Sequence, residues 1–249
     1  MKKILASDFD GTLYYFDRNP HIASVDKEGI RAFQAQGGSF GVCTGRSLAA
    51  VLCCQEDIRM DFYIVGSGAT IMNAKQNILY EKHLSYETAK AIYDRFHEDL
   101  VNTIVLADNS TYTFHDSTFW PVKFPILKTF DEMEGHAFQG LSLRAKTLDQ
   151  AVSMTAEINA CFPEAKAHQN ERSVDVSHVD CDKGKGLVLA KETLGATHSY
   201  GIGDSYNDLA MIQAADTSFT FFHAPKDLQG KVDHVVKNIA DATQIILQE

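Results

Sequence analysis

A run of apolar residues near the start of the chain, Ile4-Leu5-Ala6, gives way to Ser7-Asp8-Phe9-Asp10-Gly11-Thr12. Such a run reads as a short buried strand that opens abruptly into a loop. At the carboxyl end of a central parallel strand, Asp8 and Asp10 would stand where open α/β sheets place their ligands. A regular strand points residues two apart the same way, and Gly11 lets the backbone turn and separate them. One carboxylate could then attack while the other moves a proton. Two acids this close repel each other, so keeping them charged near neutral pH requires a cation, which implies a metal. Taken alone, the motif is equally a strand followed by an ordinary Asp-Gly turn. A second acidic cluster breaks the tie. Tyr200-Gly201-Ile202-Gly203-Asp204-Ser205-Tyr206-Asn207-Asp208 also ends a short apolar run and opens into a helical pattern.

Between the two clusters the chain alternates strand and helix patterns. Helical periodicity from Val25 to Gln36 stops at Gly37-Gly38, and Ser39 to Thr44 returns as a strand. This β-α-β unit predicts a parallel sheet. Thr44-Gly45-Arg46 leads into a helix expected over Ser47 to Gln55, and a threonine hydroxyl with free N–H groups at a helix start suits phosphate oxygens. Phe62 to Ala69 reads as a third strand ending in small residues, and Ile71 to Tyr80 as a hairpin turning at Ala74 to Asn77.

The pattern changes near Leu84. A helix over Ser85 to Glu98, strands over Thr103 to Ala107, Thr111 to His115 and Leu141 to Ala145, a helix over Leu148 to Cys161, and strands near Ala165 to Gln169 and Ser173 to Ser177 make an α+β layer able to bury its own face. It reads as a separate domain inserted in the first. The aromatic run 119–125, with the single Trp at Trp120, is taken as packing rather than a lid. After Asp180 the α/β pattern resumes. A helix over Lys183 to Thr193 carries Lys183 in its first turn, where a cation opposes the helix dipole unless an anion lies close. Lys185 should point elsewhere. Strands at His198 to Gly203, Ser218 to Phe222 and Val232 to Val236 and a helix from Ile239 complete the chain.

Four stretches together resemble the motifs of the haloacid dehalogenase superfamily of phosphatases, in the Cof-type branch with a large α+β cap (class IIB-like). They are Asp8 to Thr12, Val42 to Arg46, Lys183 to Leu187 and Gly203 to Asp208, in the family's order. The resemblance implies an α/β fold, a doubly wound Rossmann-like parallel-sheet core with an inserted α+β cap. The core would comprise residues 1–82 and 182–249, and the cap 83–181. It implies a Mg²⁺-dependent phosphatase that hydrolyses a small-molecule phosphate monoester, a sugar phosphate or phosphorylated cofactor, through an aspartyl-phosphate on Asp8. In that scheme Asp10 is the acid and base, and Thr44 and Lys183 are catalytic. Gly11, Thr12, Gly45, Arg46 and Asn207 bind substrate. Asp8, Asp10 through its carbonyl, Asp204 and Asp208 form the metal site. Phosphoryl transfer, as in a phosphomutase, is the alternative on the same scaffold, and a non-catalytic phosphometabolite sensor ranks below it. Ser67 and His223 stand where relatives usually carry Asn. Arg144, His115, Trp120, Lys123, Arg172 and Asn170 are cap groups that could meet a substrate and are as readily solvated or packing residues.

A formal net charge of -10 opposes non-specific binding to nucleic acid or to an anionic membrane surface. No apolar run reaches bilayer-spanning length, and Met1-Lys2-Lys3 runs straight into the first strand, so a cytoplasmic protein is expected, monomeric or a small homo-oligomer. The 5 cysteines include no Cys-x-x-Cys pair. They read as buried hydrophobes or free thiols. Cys43 should face the core rather than act as a nucleophile.

Overall fold

The computed structural model describes residues 2–53, 58–116 and 123–249. Cys54, the expected helix end at Gln55 and residues 119–122 of the aromatic run fall outside them. In chain order the first elements are β1 (Lys3–Ser7), α1 (Ser24–Ala35), β2 (Ser39–Cys43), α2 (Leu48–Cys53), β3 (Phe62–Val65), β4 (Thr70–Asn73) and β5 (Ile78–Glu81). There follow α3 (Tyr86–Phe96), β6 (Asn102–Ala107), β7 (Ser110–Thr113), β8 (Phe138–Arg144), α4 (Leu148–Cys161), β9 (Ala165–Asn170) and β10 (Ser173–His178). The last are α5 (Lys183–Thr193), β11 (His198–Ile202), α6 (Leu209–Ala214), β12 (Thr217–Phe221), α7 (Lys226–Gln229), β13 (His234–Val236) and α8 (Ile239–Gln248).

These elements form two compact units. The first holds Met1–Thr44, Gln55–Tyr80 and Asp182–Glu249, and the second Gly45–Cys54 and Glu81–Cys181. In the first unit eight strands run in the order β13-β12-β11-β1-β2-β3-β4-β5. The strands from β13 to β3 are parallel, and β4 turns back against β3. β1 is paired on both edges, to β11 and to β2, which explains its unbroken apolar run: Ile4, Leu5 and Ala6 have no exposure. The chain leaves β1 toward β2 on one side and reaches β11 on the other, so the carboxyl ends of β1 and β11 flank the point where strand order reverses. That is where such sheets open a crevice for ligands.

The helices bury one face each. Ile30 and Phe33 of α1 are in the core, and Asp26 in its first turn accepts the Ala240 N–H at 2.9 Å, satisfying an N-terminal donor of α8. Asn238 caps the same helix by accepting from Asp241 N–H. β3 stops at Val65, short of the expected Ala69, because Ser67 takes a left-handed conformation (φ 55°, ψ 39°) inside a tight turn, Gly66–Gly68.

The second unit has an antiparallel five-stranded sheet in the order β7-β6-β8-β10-β9. Along β10, buried Val174 and Val176 alternate with partly exposed Ser173 and Asp175, as expected when one sheet face is covered. α3 and α4 supply Ile92, Met154 and Ile158 to a core shared with Phe130, Phe138 and Leu143. Ser85 and Thr147 cap these helices. Segment 45–54 belongs to this unit through the β6–β7 hairpin. The Ser47 and Thr111 hydroxyls lie 2.6 Å apart, and Ala49 N–H donates to the Asn109 carbonyl at 3.1 Å.

Candidate active site

The carboxyl end of β1 delivers Asp8, which is 4% exposed and whose N–H donates to the Ile202 carbonyl at 2.9 Å. The strand pairing therefore sets Asp8 beside the end of β11, two residues before Asp204. Lys183, the first residue of α5, is also 4% exposed. Its ammonium donates to Asp8 Oδ1 and to Asp208 Oδ1, each at 2.6 Å. This is the anion that a cation in the first turn of a helix requires. Lys185, on the same turn, is exposed.

Asp208 has no exposure and uses both oxygens. Oδ1 holds Lys183, and Oδ2 accepts the N–H groups of Asp204 and Ser205, each at 3.1 Å. Asp208 stands in a short turn preceding α6 rather than in the helix proper. Ser205 and Asp208 cap that turn reciprocally. The spacing Ser205-x-x-Asp208 is the signal for this in the sequence. Gly203 is required here because a Cβ on it would come within 2.4 Å of Asp208 Cγ.

Asp204 is held from the other side. The buried Thr12 hydroxyl donates to Asp204 Oδ1 at 2.8 Å, a role that the motif's spacing does not reveal. Gly11 makes the turn at φ +77°, and a side chain there would press on Asp204 Oδ2 at 3.0 Å. Asp10 is exposed while Asp8 is buried, so the two acids of the motif have different surroundings.

Burial pushes the Asp8 carboxyl well above its usual pKa, and the Asp208 charge adds to the rise while Lys183 opposes it. For Lys183, burial acts to lower the pKa, and Asp208 and Asp8 more than offset it, so the ammonium stays charged. Asp204 is raised by burial and by Asp208, against the Thr12 hydrogen bond. One oxygen from each of Asp8, Asp204 and Asp208 lies within 4.8 Å of the others. Three carboxylates around one ammonium leave negative charge uncompensated, and the donors are all oxygen, which fits a hard divalent cation such as Mg²⁺.

The other sequence candidates fall as follows. Thr44 is buried at the end of β2, its N–H donating to the Ile64 carbonyl and its carbonyl accepting from Ser67, both at 2.9 Å. Gly45 and Arg46 are half-buried and belong to the second unit. Asn207 is half-buried and accepts from the Ser205 hydroxyl at 2.6 Å. His223 is exposed and stacks on Phe221. Cys43 lies in the core, where burial pushes its thiol pKa far up, so no thiolate is available there. In the second unit, Arg144 donates to the Ser173 hydroxyl, Arg172 to the Lys146 carbonyl, and Lys123 pairs with Asp116. His115 N–H donates to the Thr113 hydroxyl, and Asn170 pairs with Ser173 across β9 and β10.

A parallel-sheet core with an acid at the end of its central strand, a lysine on it and a second acid cluster one strand away defines a hydrolase of the haloacid dehalogenase type. The family described as haloacid dehalogenase-like hydrolase matches residues 5–243, and the chain belongs to it. It is an enzyme of the family's phosphatase kind. Similar proteins include 5-amino-6-(5-phospho-D-ribitylamino)uracil phosphatase YcsE of Bacillus subtilis, 22% identical, with 96% of this chain and 92% of that protein covered. A haloacid dehalogenase-like hydrolase from B. subtilis has the same fold, with a TM-score of 0.86 at 19% identity over 98% of this chain and 99% of that one. So does the subclass IIB sugar phosphatase BT4131, with a TM-score of 0.80 at 21% identity over 99% of this chain and 98% of that one. Among the described residues no helix is long and apolar enough to cross a membrane.

Proposed function

We propose that the protein hydrolyses a small-molecule phosphate monoester through an aspartyl-phosphate on Asp8. The observation that carries this reading is the ion pair of Lys183 with Asp8, made at the end of the central strand beside Asp204. Asp8 attacks phosphorus as the ester P–O bond breaks, and Asp10 gives its proton to the departing alkoxide. Water then attacks the same phosphorus, Asp10 takes up a proton, and Asp8 and inorganic phosphate are released. The exposure of Asp10 suits a group that must reach first a leaving group and then a water molecule.

Lys183 neutralises part of the charge at the reacting phosphate, and Asp208 keeps it aimed. Thr44 and Gly45 take phosphate oxygens, and Arg46 and Asn207 take the substrate-binding role that their motifs imply. Gly11 and Thr12 shape the turn against Asp204. Asp8, the Asp10 carbonyl and Asp204 would hold Mg²⁺, with Asp208 fixing the loop that carries Asp204. The ion when bound supplies Lewis-acid stabilisation of phosphoryl charge. Residues 83–181 are assigned the choice of substrate, as the cap. The names of relatives, a ribitylaminouracil phosphatase and a sugar phosphatase, support a small phosphorylated metabolite, and a cytoplasmic location goes with such a substrate.

A panel of phosphate monoesters assayed with Mg²⁺, beside the Asp8→Asn variant, tests the reading. Metal-dependent release of phosphate that disappears in a folded Asp8→Asn protein is expected. Turnover in that variant near the wild-type rate would overturn it.

A further inference from the structure

The segment after Thr12 packs into a platform to which the mechanism gives no role. Its rings stack in series, Phe9 on Tyr14 at 5.2 Å and Tyr14 on His21 at 4.7 Å between centroids. Tyr15 N–H donates to the His21 carbonyl, and His21 Nδ1 donates to the Tyr15 carbonyl, both at 3.0 Å. Gly11 N–H donates to the Tyr14 carbonyl at 3.0 Å, and Asp10 and Tyr14 form a β-bridge. Phe9, Leu13 and Ile22 anchor the loop with no exposure. Tyr15 therefore follows directly on the residue that pairs with the catalytic turn.

On this platform Arg18 lays its guanidinium over the Tyr15 ring, 3.5 Å from the centroid. Burial, opposed by the charge and hydrogen bond of Arg18 and aided by the charges of Asp204 and Asp26, holds the Tyr15 phenol at about 12, so the ring beneath the guanidinium is neutral. Arg18 is exposed, and its N–H edges form a planar fork suited to a carboxylate or phosphate. Stacking removes part of the rotamer freedom that anion binding would otherwise cost. Lys183, paired with Asp8 and Asp208 and assigned to the reacting phosphate, is already committed. In a chain of net charge -10, the Arg18 guanidinium, stacked on the residue that follows the Tyr14–Asp10 bridge, is where a second anion of the substrate would be drawn.

We propose that Arg18, presented by Tyr15, is a specificity-determining residue that receives a second anionic group, a carboxylate or a phosphate, on the leaving-group part of the substrate. The proposal rests on the phosphatase reading above. Two matched ester pairs test it: 3-phosphoglycerate against glycerol 3-phosphate, and glucose 1,6-bisphosphate against glucose 6-phosphate. The wild type is expected to prefer the doubly anionic member of at least one pair in kcat/KM. Arg18→Gln is expected to reduce that preference at least fivefold, through KM rather than kcat. The pair that responds tells carboxylate from phosphate. No preference in the wild type, or a change below fivefold in both pairs, would overturn the proposal while leaving a phosphatase. Absence of metal-dependent turnover of all four esters and of the wider monoester panel would instead remove the phosphatase reading, and this proposal with it.

Discussion

Lys183 and Asp208 form an ion pair of 2.6 Å in which the carboxylate has no solvent exposure. The same ammonium reaches Asp8, so a single cation compensates two buried carboxylates from opposite ends of the sequence. Breaking a buried pair by removing one partner typically costs about 3–5 kcal/mol, because the charge left behind has lost its solvation and its partner. Lys183→Ala should therefore lose that much stability in urea unfolding, besides losing turnover. A loss below about 1 kcal/mol would mean that the carboxylates are solvated or protonated in the native state.

Thr12 donates its hydroxyl to Asp204. Thr12→Val keeps the shape and deletes the 2.8 Å hydrogen bond. Groups that orient a metal ligand are typically worth about 10–100-fold in metal affinity or activity. The Mg²⁺ concentration that half-activates Thr12→Val should rise by that factor, while Thr12→Ser restores the wild-type value. An unchanged Mg²⁺ curve would place Thr12 outside the metal site.

Ser67 is held at φ 55°, a conformation that β-branched residues pay for and Asn tolerates. Ser67→Val should lower stability by roughly 1–3 kcal/mol, and Ser67→Asn should be neutral or stabilising. Thermal melts of the two variants decide it, and equal melting temperatures would show that the turn relaxes freely.

Asp216 governs part of the acid limb of stability. Partial burial works against its charge, and hydrogen bonds from Lys191 and Ser199 outweigh that, pulling the carboxyl from 3.8 down to about 2. A native pKa below the unfolded value means stability that is full above pH 3.8 and is lost as the pH falls toward 2. Melting temperature followed from pH 5 to pH 2 should fall less steeply in Asp216→Asn than in the wild type. Parallel curves would mean that the pair with Lys191 does not form in solution.

Much of this was legible because the signals were local. α4 and α5 carry their own boundaries: Thr147 and Asp182 accept from N–H groups three residues on, and both helices match their sequence patterns residue for residue. Asp8, Asp204 and Lys183 could be placed because they stand at strand ends and a helix start. The contacts between distant segments were not visible. Thr12 meets Asp204 across 192 residues, and Ser47 meets Thr111 across 64, which is why segment 45–54 groups with the inserted unit. The four-residue α7 is too short to show a period, and the end of β3 depends on one backbone angle at Ser67.

The central place of β1 also sets a timetable for synthesis. Its pairing with β2 can form early, whereas its other edge waits for β11, whose His198 is the partner of Lys3. A nascent chain carries that apolar strand with one open edge until the ribosome has passed Ile202, and such edges invite pairing with other chains. Asp8 and Asp204 meet only then, so enzyme activity in translation intermediates should be absent until Asp204, in the last fifth of the sequence, has emerged.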